Sequence, residues 1–190
     1  WNLPLKILQA EKALRGPQQE TLNTWDLIGR EQHFTGYGGV DAHARRLLPG
    51  VKVFPYRLMF KTIRNHVLLK ESFTGDPVTD RRMILDALAS GRLFFAADHL
   101  ADSTGFRFEA ETGGQTFPMG SEVYSTGQPV VFTGCCPCEA DITLLCGGKP
   151  CLNLSSATRW SWRGTEKGVY RIEARLKGMA WIYSNPVYVR

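Results

Sequence analysis

No stretch of this 190-residue sequence approaches the ~20 consecutive apolar residues that a membrane-spanning helix needs, so a spanning segment is excluded and a soluble chain is predicted. Charge of either sign is also modest. The 23 basic and 18 acidic residues leave +5, and the basic ones fall in scattered pairs such as Arg45-Arg46 and Arg81-Arg82. That excess is too small and too dispersed for a nucleic-acid surface, though it suits an anionic small substrate as well as an ordinary solvated surface. Histidine is scarce, at positions 33, 43, 66 and 99 only, and no His-x-His pair occurs. The five cysteines, at 135, 136, 138, 146 and 151, are odd in number, lack paired CxxC spacing and have no histidine near them in sequence. Neither a disulfide framework nor a structural zinc site fits that pattern, which reads as small apolar fillers near a strand pair. There is no internal repeat and no low-complexity tract. The chain opens on Trp1 with no signal-peptide pattern, and it reads as a cytoplasmic piece of something longer.

What is present divides into two characters. Residues 3–14 carry apolar positions at helical spacing up to Gly16-Pro17, and residues 17–30 repeat the pattern with Leu22, Trp25 and Ile28 on one side. The first strand is expected near residues 32–37, running directly into Gly38-Gly39-Val40-Asp41-Ala42-His43. Residues 65–70 suit a buried strand. Asp76-Pro77 and Thr79, ahead of Met83-Ile84-Leu85 and Ser90-Gly91, mark a capped helix. From Arg92 onward the pattern is short alternating segments parted by glycine. In residues 169–177, Tyr170, Ile172, Ala174 and Leu176 share one face, and Arg171, Glu173, Arg175 and Lys177 share the other, which predicts one buried and one wet face. Six or seven such strands imply a sandwich, with Tyr170 placed at a corner between sheets. The fold class is thus α+β, with residues 1–91 a partial α/β unit and residues 92–190 an all-β immunoglobulin-like sandwich.

The sharpest chemical feature is Asp41 with His43. Residues two apart on a strand project to the same side, so a hard carboxylate oxygen and a borderline imidazole nitrogen can reach one metal ion. Gly38 and Gly39 before them permit close backbone approach. A salt-bridged or hydrogen-bonded pair is the commoner reason for such a triplet. His33 suits a hydrogen-bonded packing role, and His66 and His99 have no partner spacing that favours function. Trp160 and Trp162 share a strand face; that face suits sandwich core better than an aromatic platform for a sugar or a partner protein.

The segment Gly38-Gly39-Val40-Asp41-Ala42-His43-Ala44 resembles the "GGSDAHA" strand end of PHP (polymerase and histidinol phosphatase) hydrolases. Residues 84–94, Ile-Leu-Asp-Ala-Leu-Ala-Ser-Gly-Arg-Leu-Phe, are similar to the helix and strand that come after it there. Residues 168–173 and 181–189 resemble the "GVYRVE" and "WIYSNPIYV" close of sandwich-bearing members. Order and spacing agree over most of the chain. The resemblance implies a distorted (β/α)7 barrel with a cluster of zinc, manganese or iron ions, in which Asp41 and His43 are late ligands. It also implies hydrolysis of a small phosphoester or related ester by metal-bound water, with no serine or cysteine acting covalently. Val40 stands where the family often has serine. The absent His-x-His pair is the larger departure, and it implies a chain inactive or nearly so by itself. A homo-oligomer is compatible with the reading. The alternative is a non-catalytic β-sandwich module for carbohydrate or protein binding or assembly, with the upstream helices as its support.

Overall fold

A computed structural model describes residues 16–40, 42, 43, 45–48, 51–53, 56–125 and 127–190, and the side chains of all of these but 45–48, 51–53 and 58. The helix expected over residues 3–14 and the expected ligand Asp41 lie outside the described residues. Helix α1 spans Gln19–Glu31, and a run outside any helix or strand covers residues 33–40 after it. A small hairpin, β1 (Arg45–Leu48) and β2 (Val51–Val53), precedes helix α2 (Tyr56–Thr62), strand β3 (Arg64–Val67) and helix α3 (Pro77–Ala89). Strands then fill the rest: β4 (Leu93–Ala96), β5 (Arg107–Thr112), β6 (Gln115–Pro118), β7 (Glu122–Val123), β8 (Val130–Cys146), β9 (Lys149–Gly164), β10 (Gly168–Leu176), β11 (Met179–Ser184) and β12 (Val187–Val189).

The fold is a β-rich α+β arrangement in which one ten-stranded sheet curls into a half-barrel. Along its main path the order is β3-β4-β11-β10-β8-β5-β6, with β9 on β8 and β12 between β10 and β7. Pairing is antiparallel except for β12 with β7. Because β3 pairs with β4 from Arg64↔Ala96 to Val67↔Leu93, the sheet runs without a break across residue 91. The core lies inside the curl, where Phe94, Phe106, Phe108, Phe132, Ile142, Leu144, Tyr170, Ile172 and Trp181 are buried together. Among the described residues no helix is long and apolar enough to cross a membrane.

Two local rules explain much of the layout. Asp76 caps α3, its carboxylate accepting from the Thr79 backbone N–H at 2.9 Å and from the Thr79 hydroxyl at 2.6 Å, and Pro77 comes next at the helix start. Strand β8, expected as two strands over residues 130–134 and 141–146, is one continuous strand. Its register shifts between Cys135 and Ala140, around Pro137, which has no N–H to donate. The bend lets its first half pair with β5 and its second half with β10.

One expectation needs correction. The second face of β10 is not wet near its start, because Arg171 is only 1% exposed. Helix α1 covers it: Asp26 grips the Arg171 guanidinium at 2.6 and 2.7 Å, Glu173 accepts a third bond at 2.7 Å, and the Trp25 ring lies 5.2 Å from the cation. Burial works against the charge of Arg171, but the bonds to Asp26 and Glu173 outweigh it and hold the pKa above the ordinary arginine value. Only farther along, at Arg175 and Lys177, does the strand meet solvent as expected.

Candidate functional site

The strand expected over residues 32–37 does not form: the run from His33 to Gly39 belongs to no ladder, and side chains satisfy its backbone in place of a neighbouring strand. Three residues, alternating along the run, are each held at both their N–H and C=O. The Tyr188 hydroxyl accepts from the Phe34 N–H at 3.0 Å and contacts the Phe34 carbonyl at 3.1 Å. The Asn185 amide accepts from the Gly36 N–H at 2.7 Å and donates to its carbonyl at 2.9 Å. Asn65 does the same for Gly38, at 2.8 and 2.9 Å. In an extended chain the backbone groups of alternate residues face one edge, so these amides stand in for the rungs of a ladder. On the opposite edge, no backbone partner meets Thr35 or Tyr37 among the described residues; their hydroxyls instead reach the end of α3 at Ala89 and Leu88.

Steric limits fix the same run from its inner face. A Cβ at Gly36 would stand 2.5 Å from the Trp25 ring, and one at Gly38 would stand 2.5 Å from Ile63 Cγ2 and 2.9 Å from Phe95 Cβ. Both positions therefore require glycine, for want of space rather than for backbone conformation. At Gly39 a Cβ would meet open space. From this pinned base the chain continues through Val40 to His43, which is exposed. Asp41 lies outside the described residues, so no distance joins it to His43. Among the described residues no group of three or more His, Cys, Asp or Glu side chains is placed to hold a metal ion.

An apolar cleft of about 1130 Å³ lies between α1 and this run, lined by Leu22, Trp25, Ile28, Phe95, Trp181 and Tyr183 among others. Its described lining contains no lysine, arginine or histidine, so it suits apolar packing and offers no anchor to a phosphate.

The remaining histidines are structural. His33 Nε2 meets the Gly120 carbonyl at 2.9 Å and its ring packs on Tyr188, the packing role expected from sequence. His66, which has no telling spacing in the sequence, joins a compact group on the other side of β3. Asp98 Oδ2 lies 2.8 Å from His66 Nε2, Ser103 Oγ lies 3.0 Å from the same nitrogen, and Ser103 donates to Asp98 Oδ1 at 2.6 Å. The residue types are those of a nucleophilic triad, but the geometry is not. A proton relay needs the carboxylate and the hydroxyl on different ring nitrogens, whereas both meet Nε2 here, and Ser103 is fully buried with its proton on Asp98. The imidazole also stacks on Phe94 at 4.5 Å and 3°. This group pins β3 and the loop after β4. Its members lie up to 37 residues apart, and no local spacing signals it. His99 donates or accepts at Nδ1 with the Thr62 carbonyl at 3.2 Å, and its Nε2 is buried without a partner.

The cysteines and tryptophans belong to the sheet. All five thiols are free, and burial pushes Cys136 up to about 12 and Cys151 up to about 11, so both stay protonated and unreactive near neutrality. Trp160 is buried against Phe108, and Trp162 packs on Phe132 and Tyr170. Neither offers an open platform. Tyr170 donates to the Glu166 carbonyl at 2.8 Å, four residues back, which is how a tyrosine ties a corner in sandwich folds. No family model matches the chain, and no curated protein or solved structure matches it either.

Proposed function

We propose that this chain supplies late metal ligands to a PHP-type hydrolase acting on small phosphoesters or related esters, and that Asp41 and His43 are those ligands. The finer fold assignment, a barrel remnant over residues 1–91 and an immunoglobulin-like sandwich over residues 92–190, is part of the same proposal. One observation carries it. The run ahead of the Asp-Ala-His triplet is fixed at Phe34, Gly36 and Gly38 by side chains that serve no ladder, and His43 within that triplet is exposed. A solvent loop has no need of such anchoring, whereas a ligand-bearing strand end does.

The donor types fit a divalent zinc, manganese or iron ion, one hard carboxylate beside one imidazole. Two donors fill only part of a coordination shell, so the remaining ligands come from elsewhere in the assembled site. When bound, such an ion lowers the pKa of a coordinated water and offsets charge building on the attacked phosphorus. Within this chain, Asn65, Asn185 and Tyr188 orient the backbone that carries the ligands, and the buried Ser103 and protonated thiols take no covalent part. The rival reading is a carbohydrate- or protein-binding or assembly module; Trp160 is buried in the sheet and Trp162 packs on Phe132 and Tyr170, so such a module would bind through other residues.

Manganese provides the test, because a bound paramagnetic ion broadens nearby imidazole resonances even when affinity is low. With Mn²⁺ added to the 190-residue chain, His43 broadens ahead of His33, His66 and His99, and Asp41→Ala removes the preference. Equal broadening at all four histidines, or none at His43, overturns the proposal.

A further inference from the structure

We infer that the second half of β9 is a docking edge for an extended acidic segment of a partner protein, which adds to the sheet as a further strand; this is independent of the ion site. Strand β9 is 16 residues long and pairs with β8 along one edge, and no strand meets its other edge among the described residues. The outward N–H and C=O groups of such an edge are a template for another chain. Pro150 and the irregularity around Ser156, where φ is 49°, spoil the first half for that purpose. From Arg159 to Gly164 the register with β8 is unbroken, Cys135↔Arg159 through Val130↔Gly164. That half offers a regular edge.

Charge names the occupant. The charged residues of β9 are Lys149, Arg159 and Arg163, all basic. Arg159, Ser161 and Arg163 alternate onto one exposed face. Arg171 and Arg190 are ion-paired, whereas Arg159 and Arg163 make no ion pair among the described residues. A second copy of the chain does not suit this edge. Antiparallel self-pairing about Ser161 would set Arg159 of each copy opposite Arg163 of the other, and like charges directly opposite are destabilising. Glu109 and Glu111 share that face of the sheet, but they belong to β5, whose two edges are taken by β6 and β8. Positions 160 and 162 turn to the core side, where Trp160 is buried. The fitting strand therefore carries carboxylates opposite Arg159 and Arg163, four residues apart, and apolar residues opposite positions 160 and 162. Backbone bonds to the edge supply the grip, and the two carboxylates the choice of partner.

The experiment titrates the 190-residue chain with the capped peptide Thr-Glu-Val-Thr-Val-Glu-Thr and follows amide exchange by NMR. Exchange should slow at the outward N–H groups within residues 159–164, with no change at β3 or β6, the ends of the main path of the sheet. Arg159→Glu combined with Arg163→Glu should weaken this peptide about 10-fold and favour the lysine version, Thr-Lys-Val-Thr-Val-Lys-Thr. Both arginines are exposed, so the variant should keep the wild-type Tm. The glutamate peptide methylated on every backbone nitrogen keeps its charges but cannot donate to an edge, and it should not protect β9. Absence of protection with the glutamate peptide overturns the inference, as does equal protection by its methylated or lysine version. Protection of residues 159–164 that grows with protein concentration and needs no peptide assigns the edge to a second copy and overturns it too.

Discussion

The run from His33 to Gly39, which belongs to no strand, and the strand β10 satisfy their backbones by opposite means. Strand β10 sits inside the sheet with β8 on one side and β11 and β12 on the other, and its apolar residues fill the curl. The run beside α1 is bound along one edge by three side chains, and no strand pairs with it among the described residues. A ladder shares its hydrogen bonds among many residues, so its geometry survives the loss of any one side chain. Side-chain ties place a segment just as firmly, but each depends on a single residue. The second arrangement suits a segment that must present groups at its end, since the chain is not obliged to continue as sheet.

Helix α1, which flanks the run, meets β10 at Arg171, and the largest effect is expected there. Arg171→Ala leaves the buried Asp26 and the partly buried Glu173 uncompensated between α1 and β10, and should cost about 3–5 kcal/mol in urea unfolding. A loss under about 1 kcal/mol would mean that α1 is not held to the sheet by this group. Tyr188→Phe should have a smaller effect, about 1 kcal/mol, because water can reach the half-exposed Phe34 backbone in place of the hydroxyl. Its more specific sign is faster amide exchange at Phe34 with unchanged protection in β10. Equal loss of protection in both would erase the contrast between tie and ladder.

The smallest effect lies outside both regions. Hydrogen bonds from the Thr79 hydroxyl and N–H hold the Asp76 carboxyl below its ordinary value of 3.8. A carboxylate whose pKa is depressed by folding stabilises above its unfolded value and loses that contribution as pH falls through the folded one. Asp76→Ala should therefore lower Tm slightly near neutrality, and the difference should fade as the pH falls below 3.8, as scanning calorimetry across pH would reveal. A difference that persists in acid would mean the cap acts through something other than the ionised carboxylate.

Legibility from sequence tracked the range of the interactions involved. Helix α1, expected over residues 17–30, lies at Gln19–Glu31, and the cap at Asp76 was readable because cap and helix are neighbours. The alternation of β10 named its inner face correctly at Tyr170, Ile172 and Ala174. Its outer face was misread at Arg171, because the covering Asp26 lies 145 residues away. A strand was expected near residues 32–37, but none forms there, and side chains hold the backbone instead. Tyr188 and Asn185 lie 154 and 149 residues from the backbones they hold, and no periodicity carries such a signal. The Ser103, Asp98 and His66 group was invisible for the same reason.

The sequence by itself determined where α1 and α3 start and stop, which face of β10 is apolar, and that a carboxylate and an imidazole stand two residues apart after paired glycines. Those properties depend on caps, side-chain alternation and spacing, all of which act within a few residues. Only the tertiary structure decided that the strands join one curled sheet, that Arg171 is sealed beneath α1, and that Asn65, Asn185 and Tyr188 take the place of a neighbouring strand. Each of these depends on chain segments meeting across long separations, where burial and the need to satisfy every enclosed polar group select the partners.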